Sequence, residues 1–217
     1  MSSDLDPSDV GKIVELGDKP PEDWLNPPKE NASGDVYSAF FTALSDDEKV
    51  ALVKLPYRVG LFISESDSSG GDEADEAEKI VLHSIIQSMA EDFCKCELVQ
   101  RVMQQTMKYK AHWHKWEDDL EEVPVECKTM VWLMSQHGID ADDSLSVRHT
   151  LMEIAVYVAQ AFNEDDEEDE KPQGFFSKLL GSKKKLVIDG MENISEDETI
   201  ALKVLEKFLG VDMRSVL

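Results

Sequence analysis

Three sets of residues in this chain have types and spacings that could do chemistry. The first is acidic. The segment SESDSSGGDEADEAE brings Asp67, Asp72, Asp75 and Glu76 close in sequence, and DGMENISEDE does the same for Asp189, Glu192 and Glu198. A Ca²⁺ ion takes about six to eight oxygen ligands on a flexible loop, and clustered carboxylates supply them. Calcium or another divalent cation is therefore the cofactor these turns suggest. Neither turn has the alternating acids before glycine of an EF-hand. The competing explanation is helix capping, because carboxylates at a helix N-terminus are favoured by roughly 0.3–1 kcal/mol each through the macrodipole.

The second set is Cys94-x-Cys96, His112-x-His114 and Cys127. Thiolate and imidazole are zinc ligands. The spacing is unsuited to zinc, since residues two apart on a helix are rotated by about 200° and face away from each other. The alternative is core or half-buried cysteine and surface histidine. Trp113 and Trp116, three apart, read as a packing stripe.

The third set is GFFSKLLGSKKK. Phe175, Phe176, Leu179 and Leu180 supply apolar surface, and Lys178, Lys183, Lys184 and Lys185 supply charge. Such a segment suits docking to a protein partner or a peripheral contact with anionic lipid. Two alternatives compete: packing of its apolar residues on the bundle, or pairing of its lysines with the acidic run Glu164 to Glu170. No Gly-x-Ser-x-Gly elbow and no phosphate-cradling glycine loop occurs. The chain is expected not to be an enzyme.

The elements that must position these residues are helices. Ser45 with Glu48, and Ser195 with Glu198, are capping-box patterns. Leu52, Leu55, Val59 and Phe62 repeat at three- and four-residue steps, with Pro56 inside the run predicting a kink or a break. The next helix opens at Asp72 and carries Leu82, Ile86, Met89 and Phe93. Further helices are expected over 93–109 and 125–137, the latter stopped by Gly138. Val147, Leu151, Ile154, Val158 and Phe162 make the cleanest stripe. The last helix carries Ile200, Ala201, Val204, Leu205 and Phe208 and stops at Gly210. No convincing alternating strand is present. Prolines at 20, 21, 27 and 28 exclude a long helix near the N-terminus, so residues 1–34 read as a Pro-rich arm anchored by Trp24 and Leu25.

Composition bounds the class. The 217 residues are 41% hydrophobic, enough for a folded core, and carry a net charge of −24. That charge argues against nucleic acid, whose phosphates require clustered Lys and Arg, and favours cations or basic partners. Three cysteines make no disulfide framework and fit a reducing compartment. The acidic N-terminus is not a secretory signal, and no apolar run approaches the ~20 residues a membrane helix needs. A cytoplasmic location is expected.

One pattern occurs twice: an apolar helix, an acidic turn, and an acid-capped helix. The first copy spans Leu52 to Met89. The second starts at Val147, is interrupted by an insertion at 164–185, and ends at Leu209. This pattern resembles the TerB-like family of tellurite-resistance proteins over roughly 45–212, best at Asp189, Gly190, Ile194, Glu198, Leu209 and Gly210. SSGG in the first turn and the insertion in the second depart from it. The resemblance implies an all-α helical bundle at 35–217 with two pseudo-repeated helix–acidic turn–helix units. It also implies no known enzymatic reaction, cation binding at acidic turns, and a link to stress response or membrane-associated complexes. The expected function is a non-enzymatic interaction or sensor module. The alternatives are a zinc-dependent metalloenzyme using His112, His114 and the cysteines, and a purely protein-binding acidic scaffold.

Overall fold

The structure, a computed structural model, describes residues 36–66, 71–91, 96–160 and 194–215, without the side chains of 71–77 and 215. Helix α1 covers Val36–Ala43, α2 Asp46–Ser64, α3 Gly71–Glu91 and α4 Glu97–Lys108. Short 3₁₀ turns at Lys110–Lys115 and Leu120–Glu122 lead into α5, Val123–Gln136. Helices α6, Ala141–Ala159, and α7, Glu196–Leu209, complete the set, and a 3₁₀ turn at Met213–Ser215 follows. No strand occurs among the described residues, so the all-α helical bundle is observed. No described helix is long and apolar enough to cross a membrane.

Helix α2 is the axis of the bundle. It packs against α3, α4, α5, α6 and α7. Its sequence is apolar around most of the circumference, the pattern of a helix enclosed by others. Leu52, Leu55 and Val59 are buried as expected, and so are Val53, Leu61 and Ile63 off that stripe. Pro56 does not break this helix, which runs unbroken from 46 to 64. Proline forfeits one backbone hydrogen bond. The apolar side chains of Leu55, Tyr57 and Val59 around it are buried on several neighbours, and that burial outweighs the loss.

Close packing sets α3 on α2. A Cβ added to Gly60 would overlap Leu82 Cδ1 and stand 2.9 Å from its Cγ. Leu82 is itself fully buried, so it has no open space to retreat into.

The helix ends follow local chemistry. Ser45 and Ser195 have nearly the same backbone, φ −62° ψ 166° and φ −61° ψ 164°, and both form complete capping boxes with Glu48 and Glu198. Gly138 and Gly210 stand at φ 74° and 64°, in the left-handed region that favours glycine. Three expectations shift. Helix α4 starts at Glu97, because Cys96 is extended at φ −115° ψ 122°. Helix α6 starts at Ala141, ahead of its apolar stripe, because Asp140 accepts the Asp143 N–H and caps it there. Ile200 is 54% exposed, and Ala201, Leu202, Leu205 and Leu209 form the buried face of α7.

Candidate functional site

The densest polar chemistry in the described residues lies inside the bundle. Lys54 and Arg58 are one helical turn apart on α2 and share a face. On that face they meet Glu126 of α5. Lys54 Nζ donates to Glu126 Oε1 at 2.7 Å, and Arg58 Nε donates to Oε2 at 2.8 Å. All three side chains are buried. Arg58 reaches further. Its Nη1 donates to the carbonyls of Trp116 and Asp118 at 2.6 and 2.7 Å, and its Nη2 to that of Asp119 at 2.9 Å. Asp119 sits at φ 53°, a left-handed conformation that aspartate tolerates better than most residues. The planar guanidinium fork holds several acceptors at once, which an ammonium cannot do in one plane. Arg58 thus gathers the 116–119 segment onto α2 while Glu126 neutralises it.

An aromatic group lies beside this cluster. The ring of Tyr57 stacks on Trp113, with centroids 4.4 Å apart and planes at 26°. Tyr57 donates its hydroxyl proton to Glu117 at 2.9 Å. Burial first, and then that hydrogen bond, push the phenol above its usual range. Trp113 donates Nε1–H to the Thr106 carbonyl at 2.9 Å, and Thr106 donates to the Val53 carbonyl at 2.7 Å. His83 meets Trp113 edge-on at 5.8 Å. Burial, aided by Lys110, lowers the pKa of His83.

A cleft of about 320 Å³ opens next to His83, between α3 and α4. His83, Gln87, Ala90, Glu91, Gln104, Met107 and Lys110 line it. At the opposite end of α4, Asp143 accepts from Tyr37 through Oδ2 at 2.8 Å and from Cys96 Sγ through Oδ1 at 3.5 Å. The Asp143 hydrogen bond leads the effects that push Tyr37 up to about 12, and burial raises the Cys96 thiol.

The sequence-derived candidates divide as follows. Asp67, Asp189 and Glu192 lie outside the described residues, as does the whole docking segment with Phe175, Phe176, Leu179, Leu180, Lys183, Lys184 and Lys185. Asp72, Asp75 and Glu76 fall in the first turns of α3, and their side chains are outside the description. Glu198 is buried, and its Oε2 accepts the Ser195 N–H at 2.9 Å, the capping role. Cys94 also lies outside the described residues. Cys96 is half-buried, and Cys127 is sealed in the core, where burial drives its thiol pKa upward. Between His112 and His114, Trp113 turns into the core, as does Trp116. No group of three or more His, Cys, Asp or Glu side chains among the described residues is arranged to hold a metal ion.

Sequence reasoning missed the Lys54–Glu126–Arg58 cluster. A signal existed: in ALVKLPYRVGLFIS the only charges are one turn apart in an otherwise mostly apolar helix.

Fold and polar interior together define an all-helical bundle pinned by a buried ionic cluster. No family model, curated protein or solved structure matches this chain.

Proposed function

We propose that this chain is a non-enzymatic interaction module, of the TerB-like kind its sequence resembles, and that its partner is basic. One observation carries the reading: the whole chain has a net charge of −24, and two cations of its bundle, Lys54 and Arg58, are buried and already engaged by Glu126. Among the described residues, exposed acids stand at several helix starts, including Glu121, Glu122, Asp140, Asp142, Glu196 and Asp197. Carboxylates placed there are held by the positive pole of each helix, so they cost the fold little and keep their charge outward. The resulting field raises the local concentration of cationic partners and speeds their encounter.

The test is a titration of the full chain with a Lys/Arg-rich peptide and with an acidic peptide of equal length, at about 0.15 M salt, where the Debye length is about 8 Å. Saturable one-to-one binding of the basic peptide alone supports the proposal. Absence of saturable binding to the basic peptide overturns it.

A further inference from the structure

The cleft between α3 and α4 gathers several acceptors at its α3 end. Gln87 spends its Nε2 on the Glu91 carboxylate at 2.9 Å, and Gln104 spends its Nε2 on the Ala90 carbonyl at 3.1 Å. Each bond uses one of the two hydrogens on its Nε2, and each amide keeps its carbonyl oxygen as an acceptor beside the remaining N–H. Glu91 Oε1 takes the Gln87 bond, which leaves Oε2 as a further acceptor. His83 Nε2 is buried with no hydrogen-bond partner among the described residues.

Position adds to composition. Ala90 and Glu91 are the last residues of α3, a helix of 21 residues with no basic residue in its last turn. Unpaired carbonyls at a helix C-terminus carry the negative pole of the macrodipole and favour a cation. Gln100 and Gln104 of α4 donate to the Glu91 and Ala90 carbonyls, so part of that pole is met by neutral donors among the described residues. Met107 and Ala90 supply apolar surface for the stem of a long cationic side chain, which buries its methylenes and keeps its head among polar groups. Lys110 also lines the cleft, and its like charge disfavours a cation placed close to it.

Resting on the proposed basic partner, we infer that this cleft receives an arginine side chain of that partner. The planar guanidinium offers five donors in a fixed fork, which suits several acceptors better than a point charge does. Glu91 and the carbonyl oxygens of Gln87 and Gln104 take the head, and Met107 takes the stem. His83 flanks the head with a ring whose depressed pKa keeps it from competing as a cation.

The experiment uses the full chain and a short acetylated, amidated peptide holding one arginine between apolar residues. Matched peptides carry lysine or the neutral isostere citrulline in its place. Affinity and the NMR shifts of the His83 ring are the readouts. Arginine is expected to bind best and to move the His83 signals, with citrulline weaker by about three- to fivefold, the upper end for an ion pair at an exposed carboxylate. Glu91→Gln keeps a side chain for Gln87 to bond and is expected to lose about as much, whereas Glu196→Gln, at the exposed start of α7, is expected to change affinity by less than about twofold. Thermal melts of both variants verify their fold. Citrulline binding as well as arginine overturns the assignment. So do equal losses in Glu91→Gln and Glu196→Gln, which would mean diffuse attraction to an acidic surface and leave the basic-partner reading standing. Failure of the longer basic peptide to bind the unaltered chain overturns both.

Discussion

Arg58 on α2 donates its Nε–H to Oε2 of Glu126 on α5 at 2.8 Å, with side chains only 4% and 8% exposed. This contact joins residues 68 positions apart and lies where water cannot replace either partner. Removing one member of a buried pair costs far more than the pair contributes, because the survivor keeps its desolvated charge. Glu126→Ala leaves both Lys54 and Arg58 buried without a counter-charge. Chemical unfolding is expected to show a loss of about 3–5 kcal/mol. Lys54→Met is expected to be much milder, since Glu126 keeps Arg58 and the methionine fills the space. Equal losses in the two variants would contradict the cluster described here.

Asp119 tests the other end of that network. Its left-handed backbone presents its carbonyl to Arg58, and no side-chain cap bond is made there. Glycine reaches that conformation without steric cost but makes the unfolded chain more flexible. Asp119→Gly is therefore expected to lie within about 0.5 kcal/mol of the parent. Asp119→Val, whose branched Cβ resists positive φ, is expected to destabilise by about 1–2 kcal/mol. Equilibrium denaturation of the two variants settles the ordering.

The local signals in the chain were readable because they act over a few residues. Ser45 with Glu48 and Ser195 with Glu198 each lie within one helical turn, and both caps form as the spacing requires. Gly138 and Gly210 were legible for the same reason. Pro56 does not produce the break its local cost allows, because packing from five other helices outweighs that cost and no window along the chain contains it. The Lys54–Glu126–Arg58 cluster was missed because its partners are 68 and 72 residues apart and isolated charges normally read as surface. The α3–α4 cleft draws on two helices and a following turn, so no single segment announces it. The acidic turns and the basic segment were conspicuous in sequence, yet most of their residues fall outside the described structure.

Gly60 gauges how closely α2 and α3 approach. Alanine would place its Cβ within 3.0 Å of three Leu82 side-chain atoms. Helix propensity alone would make Gly60→Ala favourable by about 1 kcal/mol. Overpacking a buried contact costs typically about 1–3 kcal/mol, so steric cost is expected to win and the midpoint of unfolding to fall. Adding Leu82→Ala is expected to cancel the clash and make the alanine at 60 less harmful in the double variant than in the single. Additive effects would show that the two residues do not meet.

Alkaline pH probes the tyrosines. The Asp143 bond holds Tyr37 up to about 12, and burial holds Tyr57 above its usual value as well. A folded pKa raised above the unfolded value of about 10 means the unfolded state loses its proton first as pH rises. The stabilisation from these hydroxyls is therefore fully present below about pH 10 and is lost as pH climbs through the folded-state values. Phenolate absorbance is expected to show at least two tyrosines ionising late in the folded chain. Tyr37→Phe is expected to remove one of them and to flatten the fall in stability between about pH 10 and 12. A profile unchanged by that substitution would separate Tyr37 from Asp143.

Cysteine accessibility separates core from rim. Cys127 is wholly buried, and its thiol is held protonated by that burial, with Glu126 adding to the effect. The thiolate is the reactive form, so both access and ionisation oppose its modification. Cys96 is half-buried on the rim near Asp143. In a Cys94→Ser background, a thiol reagent is expected to label Cys96 under native conditions and Cys127 only as the chain unfolds. The labelling rate of Cys127 should then rise with denaturant in step with the loss of helical signal. In Glu126→Ala that rise should come at lower denaturant, because the same substitution that strands Lys54 and Arg58 weakens the bundle around Cys127. Rapid native labelling of Cys127 would mean that α5 opens independently of the rest, and the buried ionic cluster would then not be what holds it to α2.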